Sequence, residues 1–340
     1  MNHKLEVINS VLKGKDILIT GGTGSLGRAL TERLLKLPIK KIRIFSRDEL
    51  KQSQMETTFD DNRLRFLIGD VRDADRVKRA MEGVDIVFHT AALKQVPAAE
   101  YNPFEAVKTN VIGAQNVIDA CLQENVEKVL AISSDKAVSP LNTYGATKLL
   151  MEKLFIGANH YKGNRKTTFT CVRYGNVLGS RGSVVPKFID QIKKNEKITM
   201  TDPKMTRFNI TMSQAMDLIF YALVTTRGSE IFVPKLNGYS LKDMTAAILE
   251  LMGKRVSVSK IPVRGGEKDH EILINCHEMR YTLESDKYFI ILDVNASNWQ
   301  NKSYRGYKKT PLIDEYSSNN VRKLTKNELV KIIKNEKLIQ

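Results

Sequence analysis

The stretch ILITGGTGSLG, residues 17–27, joins a short apolar run to an amphipathic run through closely spaced glycines. Glycine permits a tight turn and lets backbone N–H groups approach a pyrophosphate at the N-terminus of the following helix. A glycine-rich turn alone is a weak signal, but this one opens the first strand–turn–helix unit of the chain. It therefore predicts a dinucleotide site. The residues expected to contact the dinucleotide here are Gly21, Thr23, Gly24, Ser25, Leu26 and Gly27.

Short β-rich runs alternate with helical runs through the first half of the chain. Alternation at this spacing predicts a parallel sheet with helices on both faces. With right-handed crossovers, this is an α/β fold with a Rossmann-like doubly wound parallel sheet. The predicted strands are 15–20, 40–46, 63–70, 84–92, 126–134 and 167–176, and the predicted helices are 25–36, 72–81, 104–124 and 144–161.

The second half of the chain shows shorter pieces, which predict a smaller C-terminal α/β lobe for the substrate. Its predicted helices are 184–195, 213–226, 241–252 and 326–335, and its short strands are 198–200, 231–233 and 256–261. Residues 294–318 are polar and aromatic without a period, which is typical of a loop or arm. The predicted organisation is a cofactor domain (1–178, with the catalytic segment 133–148), a substrate lobe (179–293) and a C-terminal arm and helix (294–340).

The net charge of the 340-residue chain is +16, but its lysines are spread along the sequence. Without a block of like charges or a nucleic-acid motif, this favours an anion-binding cleft over a nucleic-acid or membrane surface. Three cysteines without metal spacing predict buried thiols in a reducing compartment and no metal site. No secretory h-region and no apolar run near roughly 18 residues is found. We therefore expect a cytoplasmic protein without membrane or nucleic-acid partners.

The end of the second predicted strand bears on the choice of dinucleotide. An NAD site usually has an acidic residue there, but this chain has Ser46 and Arg47, with Lys51 one turn later. Because arginine matches phosphate geometry, we predict NADP over NAD. The alternative is that Arg47 is solvated and Asp48 binds the ribose. Further expected cofactor contacts lie after the next strands and in the 104–124 helix: Asp70, Val71, Ala91, Ala92, Leu93 and Asn110.

The segment SSDKAVSPLNTYGATK, residues 133–148, combines two acid–base pairs. Tyr144 and Lys148 are one helical turn apart, so the Lys148 ammonium would favour the phenolate of Tyr144 and make it a base. Ser134 is expected to hydrogen-bond the same hydroxyl. Asp135 and Lys136 follow a central strand at its C-terminal end, where folds of this kind bind ligands. Elsewhere such a pair would be read as a solvated surface pair.

Seven motifs in one order resemble a known family. TGGTGSLG and the Tyr144–Lys148 pair are similar to those of the extended short-chain dehydrogenases/reductases. SRDELKQSQM, FLIGDVRD, AALKQVPAAEYNPFEAVKTNVIGAQNVI, SSDKAVSPLNTYGATK, VRYGNVLGSRGSVVP, TDPKMTRF and GEKDHE together resemble the soluble UDP-N-acetylglucosamine 4,6-dehydratases, and most of all the 5-inverting enzymes of pseudaminic-acid synthesis. The family usually has threonine where this chain has Ser134, and a related capsule-synthesis branch has methionine in place of Tyr144.

The resemblance implies a reaction and its residues. Hydride leaves C4 of the sugar for NADP, the C5 proton and C6 hydroxyl are lost, and hydride returns to C6. Lys136 is implied to take the C5 proton, which requires a lowered pKa, and Asp135 to protonate the departing hydroxyl. Arg207 is equally consistent with a structural ion pair. The implied substrate contacts are Lys94, Arg173, Asn176, Arg181, Val184, Arg207, Arg264 and Glu267.

The resemblance further implies that UDP-N-acetylglucosamine is the substrate, that the product serves bacterial surface glycans, and that the protein is a homo-oligomer, possibly a hexamer. Three other functions stay open. A retaining dehydratase differs only in product stereochemistry. A nucleotide-sugar epimerase needs only the hydride chemistry and leaves the mass unchanged. A Rossmann regulator that senses NADP would bind the cofactor without turnover.

Overall fold

The computed structural model of the protein describes residues 2–180, 182–263, 265–296, 299–311 and 314–339, with side chains from residue 5 onward. Its first half alternates strands and helices as predicted. The strands are β1 (Asp16–Thr20), β2 (Lys41–Ser46), β3 (Leu64–Ile68), β4 (Ile86–His89), β5 (Lys128–Ile132) and β6 (Thr168–Val172). The helices are α1 (Asn2–Leu12), α2 (Ser25–Leu34), α3 (Glu49–Phe59), α4 (Ala74–Met81), α5 (Val96–Tyr101), α6 (Pro103–Val107), α7 (Gly113–Gln123) and α8 (Thr143–Tyr161).

The second half of the chain contributes shorter elements. Its strands are β7 (Ile198–Met200), β8 (Thr206–Phe208), β9 (Ile231–Pro234), β10 (Gly238–Ser240), β11 (Val258–Lys260), β12 (Ile272–Ile274), β13 (Thr282–Glu284), β14 (Tyr288–Ile291), β15 (Lys308–Lys309) and β16 (Tyr316–Ser317). Its helices are α9 (Val184–Lys193), α10 (Met212–Thr225), α11 (Leu241–Met252), α12 (Cys276–Met279) and α13 (Lys326–Asn335). Within the described ranges, every helix is too short or too polar to traverse a bilayer.

One twisted sheet of ten strands runs through the molecule, in the order β15-β13-β14-β9-β6-β5-β4-β1-β2-β3. Seven neighbouring strands of this sheet, β9, β6, β5, β4, β1, β2 and β3, pair in parallel; in β1 and β2, for example, Asp16 lies opposite Lys41. The remaining three pair antiparallel at one edge. This order confirms the predicted Rossmann-like α/β fold, because the crossover from β3 to β4 reverses the direction of winding next to β1.

The boundary predicted between residues 178 and 179 does not coincide with an edge of this sheet. Strands β9, β13, β14 and β15 come from the second half of the chain, yet they extend the central sheet. The separate lobe consists of α9, α11 and α13 around their own apolar cluster, with the small pairs β8–β10 and β7–β11. Pairing with a distant strand carries no local sequence signal, so the prediction placed 231–233 in the lobe and predicted no strand at β13, β14 or β15.

The predicted helix 104–124 is interrupted. Pro103 starts α6, and residues Lys108–Ile112 form a π-helical turn before α7. Such turns widen the helix and are frequent at functional sites. This one turns the buried Asn110 towards the loop after β4, as described below. Helices α1 and α3 were not predicted. Helix α3 has almost no difference in polarity between its faces, so periodicity does not reveal it.

Side chains of the central strands alternate between two apolar layers. Ile17 and Ile19 of β1 pack under α2 and α10, whereas Leu18 packs on the opposite face with α4, α7 and α8. This alternation follows from the two-residue repeat of a strand and requires both faces to be covered. The carboxyl ends of the parallel strands therefore meet at one edge, where the polar segments follow.

His89, the last residue of β4, is buried within this sheet. Its Nδ1 lies 2.9 Å from the Thr20 hydroxyl oxygen, and its ring stacks on Phe155. Burial, assisted by the nearby Lys148 ammonium, lowers the pKa of His89 to about 3. The folded protein therefore holds this imidazole neutral at pH values where the unfolded chain would protonate it.

We predict that His89 makes the fold sensitive to acid. As pH falls below 6.5, the unfolded state takes up a proton that the folded state does not, so the free energy of unfolding falls by about 1.4 kcal/mol per pH unit. In urea unfolding, the decrease from pH 6.5 to about pH 5 should be about 2 kcal/mol smaller in His89→Gln than in the wild type. The exposed His277→Gln serves as control. Equal pH dependence in His89→Gln and the wild type contradicts the prediction.

Candidate active site

Two polar regions lie side by side where the parallel strands end. One is the glycine turn between β1 and α2. The other is a cleft of ≈ 820 Å³ between the end of β5 and the lobe. Ligands of doubly wound sheets bind at this edge, next to the position where the strand order reverses.

The glycine turn leaves no room for side chains. Gly21 has φ +66°, and a Cβ there would lie 2.8 Å from the Ala91 Cα. A Cβ on Gly27 would lie 2.3 Å from the Gly22 carbonyl oxygen, so α2 packs directly on the turn. Gly24 caps α2 without a side-chain hydrogen bond, which leaves the first N–H groups of the helix for an anion. This geometry fits the pyrophosphate of a dinucleotide.

The predicted selector of the dinucleotide lies at the end of β2. Ser46 is buried, whereas the Arg47 side chain is 54% exposed and its guanidinium lies 3.5 Å from Asp70. Asp48 caps α3 by accepting a hydrogen bond from the Lys51 backbone N–H, and it forms an ion pair with the Lys51 ammonium. These contacts occupy the acid that would otherwise bind a ribose. The assignment of Arg47 to the adenosine end stays a prediction.

Asn110 holds the cofactor edge together. Its side-chain oxygen accepts from the Leu93 N–H at 2.8 Å, and its amide group donates to the Leu93 carbonyl and the Thr147 hydroxyl, both at 2.9 Å. The loop after β4 is thereby fixed to helix α8. The structure therefore gives the predicted cofactor residue Asn110 a positioning task. The other predicted positions, Ala91, Ala92 and Val71, lie on the same edge.

Close backbone packing brings the two predicted acid–base pairs together. Asp135 and Lys136 lie in a single 3₁₀ turn after β5, where the Ser134 hydroxyl accepts a hydrogen bond from the Lys136 N–H. Helix α8 starts beside this turn, with Asn142 as its N-cap. A Cβ on Gly145 would lie 2.2 Å from the Lys136 carbonyl oxygen, so only glycine lets the helix approach this closely. Tyr144 thus lies next to Lys136.

A buried cluster of charges lines the floor of the cleft. The Lys136 ammonium lies 3.1 Å from Asp135 and 3.2 Å from Glu271, and these carboxylates are 1% and 5% exposed. Arg207 approaches Glu271 at 3.7 Å and Glu267 at 3.2 Å. Asp135 also accepts a hydrogen bond from the Ser134 hydroxyl at 2.8 Å. Buried charges persist in proteins only when paired in this way.

The pKa of Lys136 differs from the sequence-based expectation. A base needs a lowered pKa, and burial does act in that direction. However, the Asp135 and Glu271 carboxylates outweigh burial and raise the pKa of Lys136. Burial and the negative charge of Glu271 raise the pKa of Asp135, which suits a proton donor. Glu271 has a lowered pKa, because Lys136, Arg207 and Lys268 together overcome its burial.

Tyr144 and Lys148 also depart from the expected electrostatics. Burial raises the pKa of the Tyr144 phenol, while the ammonium of Lys136 and a hydrogen bond with Ser134 oppose this shift. The Lys148 ammonium instead donates to the Ile132 carbonyl oxygen at 2.5 Å, and burial lowers its pKa to about 8. The cation that acts on Tyr144 is therefore Lys136, not Lys148, because the α8 start packs on the 3₁₀ turn.

Five predicted substrate residues line the cleft: Lys94, Asn176, Val184, Arg207 and Glu267. Arg181 and Arg264 lie outside the described residues, although their neighbours Gly182 and Gly265 belong to the lining. Cations outnumber carboxylates along the described wall. The cations are Lys94, Lys136, Lys187, Arg207 and Lys268, and the carboxylates are Glu100, Glu267 and Glu271. This excess suits an anionic ligand.

Arg173 has a different environment from the one predicted. Its guanidinium is fully buried and donates to Glu152 and Glu278 at 2.7 to 2.9 Å and to the Leu273 carbonyl oxygen at 2.9 Å. It does not belong to the described lining of the cleft. We therefore interpret Arg173 as the link between α8 and α12, which corrects its assignment as a substrate contact.

Glu271 and Lys268 were not singled out from the sequence, although both belong to the quoted motif GEKDHE. Glu271 is 135 residues away from its partner Lys136 along the chain. The sequence signal that could have indicated Glu271 is its place in this motif, next to a histidine, because the motif was already assigned to substrate binding. Tyr239, whose pKa is raised to about 12 mainly by burial, lines the same floor and was missed as well.

The comparisons with known proteins agree with this arrangement. Residues 17–293 match the family described as "Polysaccharide biosynthesis protein". A UDP-N-acetylglucosamine 4,6-dehydratase (inverting) of Campylobacter jejuni is 47% identical over 283 residues, which cover 83% of this chain and 84% of that protein. A UDP-glucose 4-epimerase of Rickettsia felis is 41% identical and covers 96% and 97%. The X-ray structure of Pen from Bacillus thuringiensis has a TM-score of 0.91 at 42% identity, covering 96% of this chain and 99% of that one.

The fold and the site define an enzyme of the extended short-chain dehydrogenase/reductase class, which confirms that part of the predicted resemblance. Within this class, the chain belongs to the polysaccharide biosynthesis protein family, whose model matches most of its length. The related proteins carry the names of both a dehydratase and epimerases. The choice between these activities therefore depends on the chemistry of the cleft.

Proposed function

We propose that the protein is a UDP-N-acetylglucosamine 4,6-dehydratase that uses NADP and inverts C5. One observation carries the proposal. Lys136, which lines the cleft, pairs with the buried acid Asp135, and Ser134 hydrogen-bonds both Asp135 and the phenol of Tyr144. Oxidation at C4 needs only one base, whereas elimination of water across C5 and C6 needs a second base and an acid.

The residues around Tyr144 fit the first step. Ser134 hydrogen-bonds the phenol, and the Lys136 ammonium stabilises negative charge on it. As a phenolate stabilised by the Lys136 ammonium, Tyr144 would take the proton of the C4 hydroxyl as the ketone forms. Held at the glycine turn, the dinucleotide supplies hydride acceptance at C4 and hydride return at C6. Lys148, anchored on Ile132, is left to hold the cofactor side of the site.

The residues around Asp135 fit the elimination. The C4 ketone makes the C5 proton acidic, and Lys136 would remove it. The electrons of the C5–H bond form a C5–C6 double bond as the C6–O bond breaks. The hydroxyl leaves as water after taking the proton of Asp135, whose pKa burial raises. The same proton on a solvated aspartate would be lost at neutral pH.

The cleft also supports a nucleotide-sugar substrate. Lys94, Lys187 and Lys268 line the cleft and add positive charge that would attract a diphosphate. The loop after β4 and the start of α9 also contribute to the lining. On the basis of the resemblance, we further propose that the product enters a bacterial surface-glycan pathway of the pseudaminic-acid type. The same resemblance supports assembly as a homo-oligomer.

Epimerisation is the second candidate function. The Rickettsia relatives are named UDP-glucose 4-epimerases at 41–42% identity, and Tyr144 with a bound dinucleotide would suffice for that reaction. A retaining dehydratase has the same demands as the inverting one, apart from the face at which C5 regains its proton. Both alternatives leave a product that differs in mass or in stereochemistry from the proposed one.

Turnover of UDP-N-acetylglucosamine in D₂O, followed by NMR and mass spectrometry, tests the proposed function directly. We expect a 4-keto-6-deoxy product that has lost water, carries one deuterium at C5 and has the inverted configuration there. Deuterium enters because Lys136 removes the C5 proton on one face and a deuteron derived from solvent reaches C5 on the opposite face. A product of unchanged mass would establish the epimerase, retained configuration would establish the retaining enzyme, and binding without any product would favour a regulator.

Substitution of the second acid–base pair should separate the two halves of the reaction. In Asp135→Asn and in Lys136→Ala, we expect at least about a 100-fold loss of water elimination, since each removes a proton-transfer group. Oxidation at C4 should persist in Asp135→Asn. It is measured by quenching with borodeuteride and detecting deuterium at C4 in an undehydrated sugar. Equal loss of both steps in Asp135→Asn would contradict the assignment of Asp135 to C6.

The choice of NADP predicts a selective effect of Arg47. Charge-assisted hydrogen bonds to a phosphate contribute about 1.5–3 kcal/mol, so Arg47→Ala should weaken NADP binding by about 10- to 100-fold and leave NAD binding nearly unchanged. Titration calorimetry with both dinucleotides measures this. Arg79→Ala, which changes an exposed arginine of α4, is the control. Equal affinity of the wild type for NADP and NAD would refute the prediction.

A further inference from the structure

Glu271 occupies an unusual place for a carboxylate. Its side chain is 5% exposed, and one oxygen, Oε1, lies 3.2 Å from the Lys136 ammonium and 3.7 Å from Arg207 Nε. The other oxygen, Oε2, is buried and has no hydrogen-bond partner in the described structure. Asp135 and Glu271, which are far apart in the sequence, thus face the same ammonium. A buried carboxylate oxygen without a partner is costly, and a buried charge in a cleft marks a candidate functional group.

The surrounding backbone fixes Glu271 in this position. Its N–H donates to the Ser318 hydroxyl at 2.9 Å, and its carbonyl accepts from the Ser318 N–H at 2.7 Å. The Ser318 hydroxyl in turn lies 2.7 Å from that of Thr206, next to Arg207. The segment around β16, in the C-terminal region, therefore fixes the backbone of Glu271 and so places its side chain beside Lys136.

The proposed elimination leaves one requirement unmet. Lys136 can remove the C5 proton only as a neutral amine, but the Glu271 carboxylate stabilises it as an ammonium. Its own proton must first move to a group within reach. Asp135 is not suitable, because it has to keep a proton for the C6 hydroxyl. The carboxylate within hydrogen-bond distance that has no such task is Glu271.

We propose that Glu271 is a positioning residue for the elimination, which accepts the proton of the Lys136 ammonium and later returns it. This inference rests on the proposed dehydratase function and deepens it. A substrate that fills the cleft excludes water, and low polarity disfavours the separated charges of the ion pair relative to the neutral pair. The resting ion pair would then convert to a neutral amine beside a neutral carboxylic acid.

The proton count closes over the elimination, and the proton that Tyr144 takes from the C4 hydroxyl balances the one that C5 regains as hydride returns to C6. One proton passes from Lys136 to Glu271, the neutral amine takes the C5 proton, and Asp135 gives its proton to the leaving hydroxyl. Lys136 is then an ammonium again, Asp135 is a carboxylate and Glu271 is a carboxylic acid. The ammonium donates one proton to Asp135 and receives one from Glu271, which restores the starting state. Both transfers use the contacts of 3.1 and 3.2 Å that exist in the structure.

Glu271→Gln tests this role, because it keeps the shape and removes the acceptor. We expect C4 oxidation, measured by borodeuteride trapping, to stay within about threefold of the wild type, and water loss with C5 deuteration to fall about 100-fold. Glu271→Asp should recover part of the loss. Glu284→Gln, which removes a comparable carboxylate paired with Lys235 at 2.8 Å outside the described lining, is the control and should retain both steps.

The pH profile separates proton acceptance from a structural role. Without an internal acceptor, elimination by Glu271→Gln should rise about tenfold per pH unit as Lys136 loses its proton to solvent, whereas the wild type should be nearly flat over that range. The ionisable groups that face Lys136 and Glu271 and are common to both proteins are Asp135, Tyr144, Arg207, Tyr239 and Lys268.

The outcomes are distinct. A wild type that gives no 4-keto-6-deoxy product overturns the proposed function itself. A dehydratase in which Glu271→Gln eliminates water at the wild-type rate overturns the inference alone. Equal loss of C4 oxidation and elimination in Glu271→Gln, or an unchanged pH profile, would show that Glu271 only supports the structure, and the inference would be wrong.

Discussion

The pairing of buried charges around Lys136 is the interaction on which the site depends. Asp135 follows the central strand β5, Glu271 precedes β12 and Arg207 belongs to β8. Each of these ions would destabilise the fold if its partners were missing, because burial of an unpaired charge costs several kcal/mol. The cluster therefore forms only when the central sheet, the lobe and the C-terminal segment have all assembled. This requirement couples completion of the cleft to completion of the fold.

Close backbone approach makes the cluster useful. Gly27 lets α2 press on the glycine turn, and Gly145 lets α8 press on the carbonyl of Lys136. A methyl group at either position would separate a helix from the sheet edge. The turn that fits a dinucleotide and the segment that holds two acid–base pairs thus share one edge. The π-helical turn at Asn110 fixes the loop between them.

Sequence patterns predicted the parts of the structure that depend on neighbouring residues. Alternating apolar runs revealed β1 to β6, and the glycine spacing revealed the turn. The edge strands β13, β14 and β15 were not assigned to the central sheet, because their pairing is long-range. Arg173 was misassigned, since a sequence does not show whether an arginine next to a strand meets solvent or the buried Glu152 and Glu278. The direction of the Lys136 pKa required Glu271, which lies far along the chain.

The same electrostatics bears on the choice between dehydratase and epimerase. An epimerase must let the ketone intermediate rotate within its site, so that hydride returns to the other face. It has no leaving group to protonate. In an epimerase, a buried Asp135 with a raised pKa, held beside Lys136 by Ser134, would destabilise the fold without taking part in the reaction. For elimination, the same arrangement supplies an acid with a raised pKa and a base within the same turn. The arrangement of charges, more than the hydride-transfer residues, is therefore the feature that favours dehydration.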